Sequence, residues 1–135
     1  IAHNGAGVDL RDAHGITVSA NTFTLMTEPA LKIGELSGRV AVTGNNFCNS
    51  YIGEGKVKRN TNDLMAAGIQ LQSTNNIAIS GNVFSSLQTK AVALSDSQSK
   101  SVLFSNNVLV DVESEHASLT EEQSNNIIGS NVISD

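Results

Sequence analysis

Tryptophan is missing from this chain of 135 residues, and tyrosine, proline and cysteine occur once each. With aromatics at 4 % and hydrophobic residues at 39 %, any core has to be assembled mainly from small branched aliphatics. A single proline, Pro29, suits a chain of strands whose N–H groups must all reach ladder partners. The lone Cys48 excludes an internal disulfide and a cysteine-based metal site. Its place just after a turn predicts a small buried residue. No apolar run approaches the roughly 20 residues needed to cross a bilayer. Basic residues are scarce too: 8 Lys and Arg stand against 13 Asp and Glu, with a net charge of −5 and a pI near 5.0. Such a balance argues against a nucleic-acid partner, which usually meets a basic excess. His3, His14 and His116 are not at metal-ligand spacing. Neither a phosphate-cradling glycine loop nor a G-x-S-x-G elbow occurs, and no segment sustains helical periodicity.

What the chain does have is repetition. In Gly68–Phe84, GIQLQSTNNIAISGNVF, Ile69 and Leu71 alternate with glutamines, Ile77 and Ile79 alternate with small residues, and Ser, Asn and Gly clusters separate the runs. Strict alternation over short apolar runs predicts strands joined by turns. Its second half recurs as ITVSANTF at Ile16–Phe23, VAVTGNNF at Val40–Phe47, VLFSNNVL at Val102–Leu109 and IIGSNVI at Ile127–Ile133. An asparagine holds one fixed position in all five copies: Asn21, Asn45, Asn82, Asn107 and Asn131, separated by 24, 37, 25 and 24 residues. Two positions on stands Phe23, Phe47, Phe84, Leu109 or Ile133. The first strand repeats as VDL (Val8–Leu10), LKI (Leu31–Ile33), IQL (Ile69–Leu71), VAL (Val92–Leu94) and, more weakly, ASL (Ala117–Leu119).

A period of 20–50 residues marks a repeat architecture, and the single interval of 37 is one period plus an insertion in a loop, here 48–67. One such unit cannot bury its own apolar residues, so units must stack. If each is one turn of a solenoid, equivalent strands lie in parallel about 4.8 Å apart, aliphatic side chains form interior columns and the asparagines form a ladder. Asparagine suits the corner on two counts: it tolerates left-handed backbone, and its amide offers donors and acceptors to the copies above and below.

These repeats, of the form G-I-x-L-x-x-S-x-N-I-x-I-S-G-N-x-F, resemble the right-handed parallel β-helix of the pectin-lyase-like superfamily. The expectation is an all-β fold, one unit over residues 1–135 with about five coils and the 48–67 loop between the second and third. The superfamily includes polysaccharide lyases, glycoside hydrolases, alginate epimerases and viral tail spikes, so the resemblance specifies fold far better than activity. In the resembling enzymes the substrate groove runs along the outside of the first strands. Carried over, that face consists of Asp9 and Arg11, Lys32 and Gly34, Gln70 and Gln72, then Ala93 and Ser95, with Asp12, Glu35 and Asp96 at the turns. The glutamines suit sugar hydroxyls.

Several chemistries compete for this strip. A lyase needs a cation to neutralise a uronate and a base for its C5 proton; Lys32 and Arg11, beside Asp9, are the outward candidates. A hydrolase needs two facing carboxylates, for which Asp9, Asp12 and Glu35 are available. Calcium would have Asp9 and Asp12 to draw on, too few for a full oxygen cage. The plain alternative is that Asp9 and Lys32 form a lateral cross-strand charge pair. On the 48–67 insertion Tyr51, Lys56, Lys58 and Arg59 make a basic patch suited to an anionic polysaccharide; the plain alternative there is a solvated loop.

The start, IAHNGAG, reads as the tail of a preceding coil, and the end falls two residues after Ile133, with no capping helix at either. An uncovered coil end invites association. The expectation is therefore a segment of a longer β-helix or a protomer that associates end to end. The leading functional expectation is a secreted or cell-surface protein that binds a polysaccharide, an anionic one for preference, along the first-strand face. An active lyase or hydrolase and a purely structural spike or adhesin coil are the alternatives.

Overall fold

Alternation of apolar and small polar residues makes strands in which every second side chain points inward. In a computed structural model of the chain, described for residues 1–2, 5–48, 68–87, 90–96, 98–112 and 126–134, the strands come in sets of three. The first coil holds β1 (Val8–Arg11), β2 (His14–Ser19) and β3 (Thr22–Thr24), and the second β4 (Leu31–Gly34), β5 (Gly38–Thr43) and β6 (Asn46–Cys48). The third holds β7 (Ile69–Leu71), β8 (Asn75–Ser80) and β9 (Val83–Ser85), and the fourth β10 (Val92–Leu94), β11 (Lys100–Ser105) and β12 (Val108–Val110). A fifth coil contributes β13 (Ile127–Gly129) and β14 (Val132–Ser134); the ASL segment expected to open it lies outside the described residues. No helix occurs among the described residues.

Equivalent strands pair in parallel into three sheets, ordered β1-β4-β7-β10, β2-β5-β8-β11-β13 and β3-β6-β9-β12-β14. The fold is thus a parallel β-solenoid of four complete turns plus two sides of a fifth. Register is exact enough to make columns: Val18, Val42, Ile79 and Phe104 stack on the second sheet, and Leu31, Ile69 and Val92 on the first. Phe23, Phe47 and Phe84 stack with centroids 5.0 and 4.9 Å apart and rings within 7° of parallel. Phe104 meets Phe84 edge-on at 5.9 Å. The ring column needs room at the entry to the first sheet. A Cβ on Gly68 would meet Ala91 O and a ring carbon of Phe84, each at 2.8 Å, and Gly7 is confined in the same way by Ala30 O and Phe23.

The five asparagines form the expected ladder. Each Nδ2 donates to the next Oδ1: Asn21 to Asn45 at 3.2 Å, Asn45 to Asn82 at 3.0 Å, Asn82 to Asn107 at 3.1 Å and Asn107 to Asn131 at 3.1 Å. Each Oδ1 also accepts the backbone N–H of the asparagine one coil earlier, at 2.9–3.1 Å. The second Nδ2 hydrogen of Asn45, Asn82 and Asn107 reaches Val18 O, Val42 O and Ile79 O. Buried amides with every group used are stabilising, because an orphaned one would carry its whole desolvation penalty.

One of the two reasons given for asparagine is corrected. None of the five ladder residues is left-handed; the residue before each one is, namely Ala20, Gly44, Gly81, Asn106 and Ser130, at φ 54–69°. The chain turns on that neighbour, which frees the asparagine side chain to point inward. A second column of left-handed residues, Gly15, Arg39, Asn76 and Ser101, lies inside the starts of β2, β5, β8 and β11. These strands therefore begin earlier than the apolar alternation suggests, and Asn75 and Asn76 belong to β8 rather than to the turn before it. Cys48 also departs from expectation: as the last residue of β6 it is half-buried, because its side chain follows Phe47 and so faces away from the core.

A second buried ladder braces the turn after the first sheet. Ser37 Oγ accepts from Ala13 N at 3.1 Å and donates to Gly34 O, while Ser99 Oγ accepts from Thr74 N at 3.2 Å beside Thr74 Oγ1. Above it Asp96 clamps the neighbouring turn, accepting from Ser73 N at 3.1 Å, Ser73 Oγ at 2.6 Å and Gln98 N at 3.1 Å. Those bonds, the Ser73 hydroxyl first, hold the Asp96 carboxyl below its ordinary range.

Two stability predictions follow from these ladders. Asn82→Ala, which strands Val42 O and Asn45 N in the core, should lower unfolding free energy by roughly 2–5 kcal/mol in a urea titration, whereas Asn21→Ala at the half-exposed end should cost under about 1.5 kcal/mol. Asp96 binds its proton less readily folded than unfolded, so its contribution is present above the unfolded carboxylate range, about pH 4, and is lost as pH falls through the lower folded value. Asp96→Asn should therefore melt below wild type at pH 7, with the gap closing below about pH 4; a gap that persists in acid would refute the clamp.

Candidate functional site

Outward positions of the first sheet form two rows. The register Asp9–Lys32–Gln70–Ala93 makes one, and Arg11 beside Gly34, with Gln72 and Ser95 following, makes the other. Rungs lie about 4.8 Å apart and the rows about 6.6 Å, two residues along a strand. Gly34 leaves a gap in the second row, and there the surface sinks into an open groove of about 230 Å³ lined by Asp9, Arg11, Lys32, Gly34, Glu35, Gln70 and Gln72, with Ile33 in its floor. A Cβ at Gly34 would touch only Leu10 O, at 3.5 Å, so the gap comes from the missing side chain and not from backbone crowding.

The charges do not pair across the rungs as Asp9 with Lys32, although those residues are in register. Arg11 bends back along its own strand, giving Nε and Nη2 to Asp9 Oδ2 at 3.1 and 2.8 Å. Lys32 Nζ instead donates to Glu28, four residues earlier and just ahead of β4. A lysine on a strand can swing to either neighbour, and here it meets Glu28 while Asp9 Oδ2 takes both Arg11 bonds. Arg11 is 76 % exposed, and its pKa is raised by the hydrogen bond and charge of Asp9, with a smaller push from Glu35.

Of the residues proposed from sequence, Asp9, Arg11, Lys32, Glu35, Gln70 and Gln72 meet in the groove. Asp12 sits beyond it, exposed, with Oδ1 3.4 Å from His14 Nε2. Tyr51, Lys56, Lys58 and Arg59 lie outside the described residues, as does nearly all of the 48–67 insertion. Ser95 turns its hydroxyl onto Leu71 O at 3.2 Å, and Ala93 adds no polar group, so the groove flattens over the fourth coil. Sequence reasoning overlooked Glu28, because i, i+4 spacing brings side chains together on a helix and carries no such signal in a bend that leads into a strand.

Chemically, the groove presents two ion pairs, a further carboxylate in Glu35 and the amides of Gln70 and Gln72, which make no side-chain hydrogen bond among the described residues. Lys32, the candidate base, is engaged by Glu28. Among the described residues no three His, Cys, Asp or Glu side chains converge to hold a metal ion, and no helix is long and apolar enough to cross a membrane.

Searches among curated proteins and among solved structures return no match. A family model described as a right-handed β-helix region, usually at home in the pectin-lyase-like superfamily, matches residues 1–135. The match spans every coil described above, and the chain belongs to the right-handed β-helix region family.

Proposed function

We propose that this β-helix segment binds a polysaccharide along the outer face of its first sheet, in the groove over Gly34. The observation that carries the reading is the groove's make-up: polar side chains in two straight rows, on a rigid ladder, with a gap one side chain deep between Arg11 and Gln72. An extended polymer of ring-shaped units lies naturally across evenly spaced strands, because each rung of about 4.8 Å offers outward positions at roughly the advance of one sugar ring. Gln70 and Gln72 offer donors and acceptors together, as hydroxyls require. Strand-borne side chains also keep their spacing without a ligand, which lowers the ordering cost of binding. The placement of this face in the resembling enzymes adds support by analogy.

Filling the gap tests the reading. In affinity electrophoresis through gels containing a panel of neutral and acidic polysaccharides, at least one polymer should retard the protein. Gly34→Phe, which the backbone accommodates, should migrate freely while its far-UV circular dichroism stays that of wild type. Retardation by no polymer, or a Gly34→Phe variant held as strongly as wild type, contradicts the proposal.

A further inference from the structure

Whether a polysaccharide site takes a charged or a neutral chain depends on which of its polar groups are still available. In this groove each cation is already paired with a carboxylate. Arg11 holds Asp9 through two hydrogen bonds and Lys32 holds Glu28. With Glu35 added, three carboxylates stand against two cations among the described residues in and beside the groove, an excess of negative charge before any ligand arrives. A uronate would have to pull a cation from its carboxylate and then lie beside that carboxylate. In exposed pairs that exchange gains little, and it leaves the like-charge repulsion in place. Among the described residues the neutral groups of the groove that make no side-chain hydrogen bond are the two glutamine amides, and the one unpaired charge there, Glu35, is negative.

From this pairing we infer that the groove is selective for an uncharged, hydroxyl-rich glycan, with Gln70 and Gln72 as the specificity-determining residues; the inference rests on the polysaccharide-binding reading above. Gln70 is in register with Lys32, and Gln72, whose N–H bonds Ile33 O, lines the groove with Gly34 in the neighbouring row. Both belong to the third-coil rung, so they can bond hydroxyls on opposite edges of the one ring that lies over it, next to the gap. The ion pairs act as positioning elements: Asp9 folds Arg11 along β1, and Glu28 draws Lys32 towards the start of β4. Binding built this way depends on neutral hydrogen bonds and burial, so it should be nearly insensitive to salt, unlike a charge-driven contact screened within about 8 Å at physiological ionic strength.

The test divides the electrophoresis panel by charge, with galactomannan, xylan and dextran as neutral polymers and polygalacturonate and alginate as acidic ones, at low and at physiological salt. The expected result is retardation by a neutral polymer, unchanged by salt, and none by the acidic ones at physiological salt. Gln70→Ala/Gln72→Ala should weaken that retention about tenfold, the loss of two neutral hydrogen bonds, with an unaltered melting temperature because both side chains face outward. Retention on the acidic polymers alone, falling with salt, overturns the inference and leaves the polysaccharide reading standing. Retention on neutral polymer that the double substitution does not weaken overturns the role of the glutamines. Retention on none removes both.

Discussion

The rest of the structure depends on stacking like on like at one strand spacing. A ladder of identical amides works only where copies repeat at about 4.8 Å, since a primary amide then reaches its equivalent without strain. Asn45, Asn82 and Asn107 are almost wholly buried, at 2, 1 and 0 % exposure, and each uses both Nδ2 hydrogens and its oxygen within the stack. Such a network is intolerant of slippage: a one-residue shift in any coil would bury an unpaired amide and turn the aliphatic columns outward. Aromatic and aliphatic packing then follows the register the amides impose. The phenylalanine stack two residues on shows how closely successive coils repeat.

Regular stacking has a functional corollary. When inward side chains lock the register, outward ones are displayed on a lattice whose spacing the core sets. The first-sheet face is therefore a row of side chains with little freedom to rearrange, interrupted at Gly34. Its recognition properties come from which residues occupy the lattice points. The ion pairs show this: Arg11 and Lys32 project from the same face and are each engaged by a carboxylate, Asp9 and Glu28, while the amides of the third coil bond no other side chain among the described residues.

Much of this architecture was legible in the sequence, because repeats turn a three-dimensional column into an interval along the chain. Asn21, Asn45, Asn82, Asn107 and Asn131 identified themselves by spacing, and the strips Asp9–Lys32–Gln70 and Arg11–Gly34–Gln72 followed by counting outward positions. The hydroxyl ladder was equally encoded and went unread. Ser37, Thr74 and Ser99 are separated by 37 and 25 residues, the same intervals as Asn45, Asn82 and Asn107, but Ser and Thr are common in turns and do not announce a column. Two features were beyond the pattern. The left-handed corner falls on Ala20 and Ser130 as well as on Gly44, Gly81 and Asn106, so residue type does not mark it. The choice of Lys32 between Asp9 and Glu28 is a rotamer decision between neighbours of equal charge, which spacing does not resolve.

The most direct measurement of the central claim is hydrogen exchange at the asparagine side chains, followed by NMR on selectively labelled protein. The ladder account predicts that the Nδ2 hydrogens of Asn82 and Asn107 exchange only when the whole stack opens, as slowly as the backbone amide of Ile79 in the core, while the exposed Asn46 exchanges at surface rates. Side-chain amides of Asn82 and Asn107 that exchange as fast as that of Asn46 would contradict it.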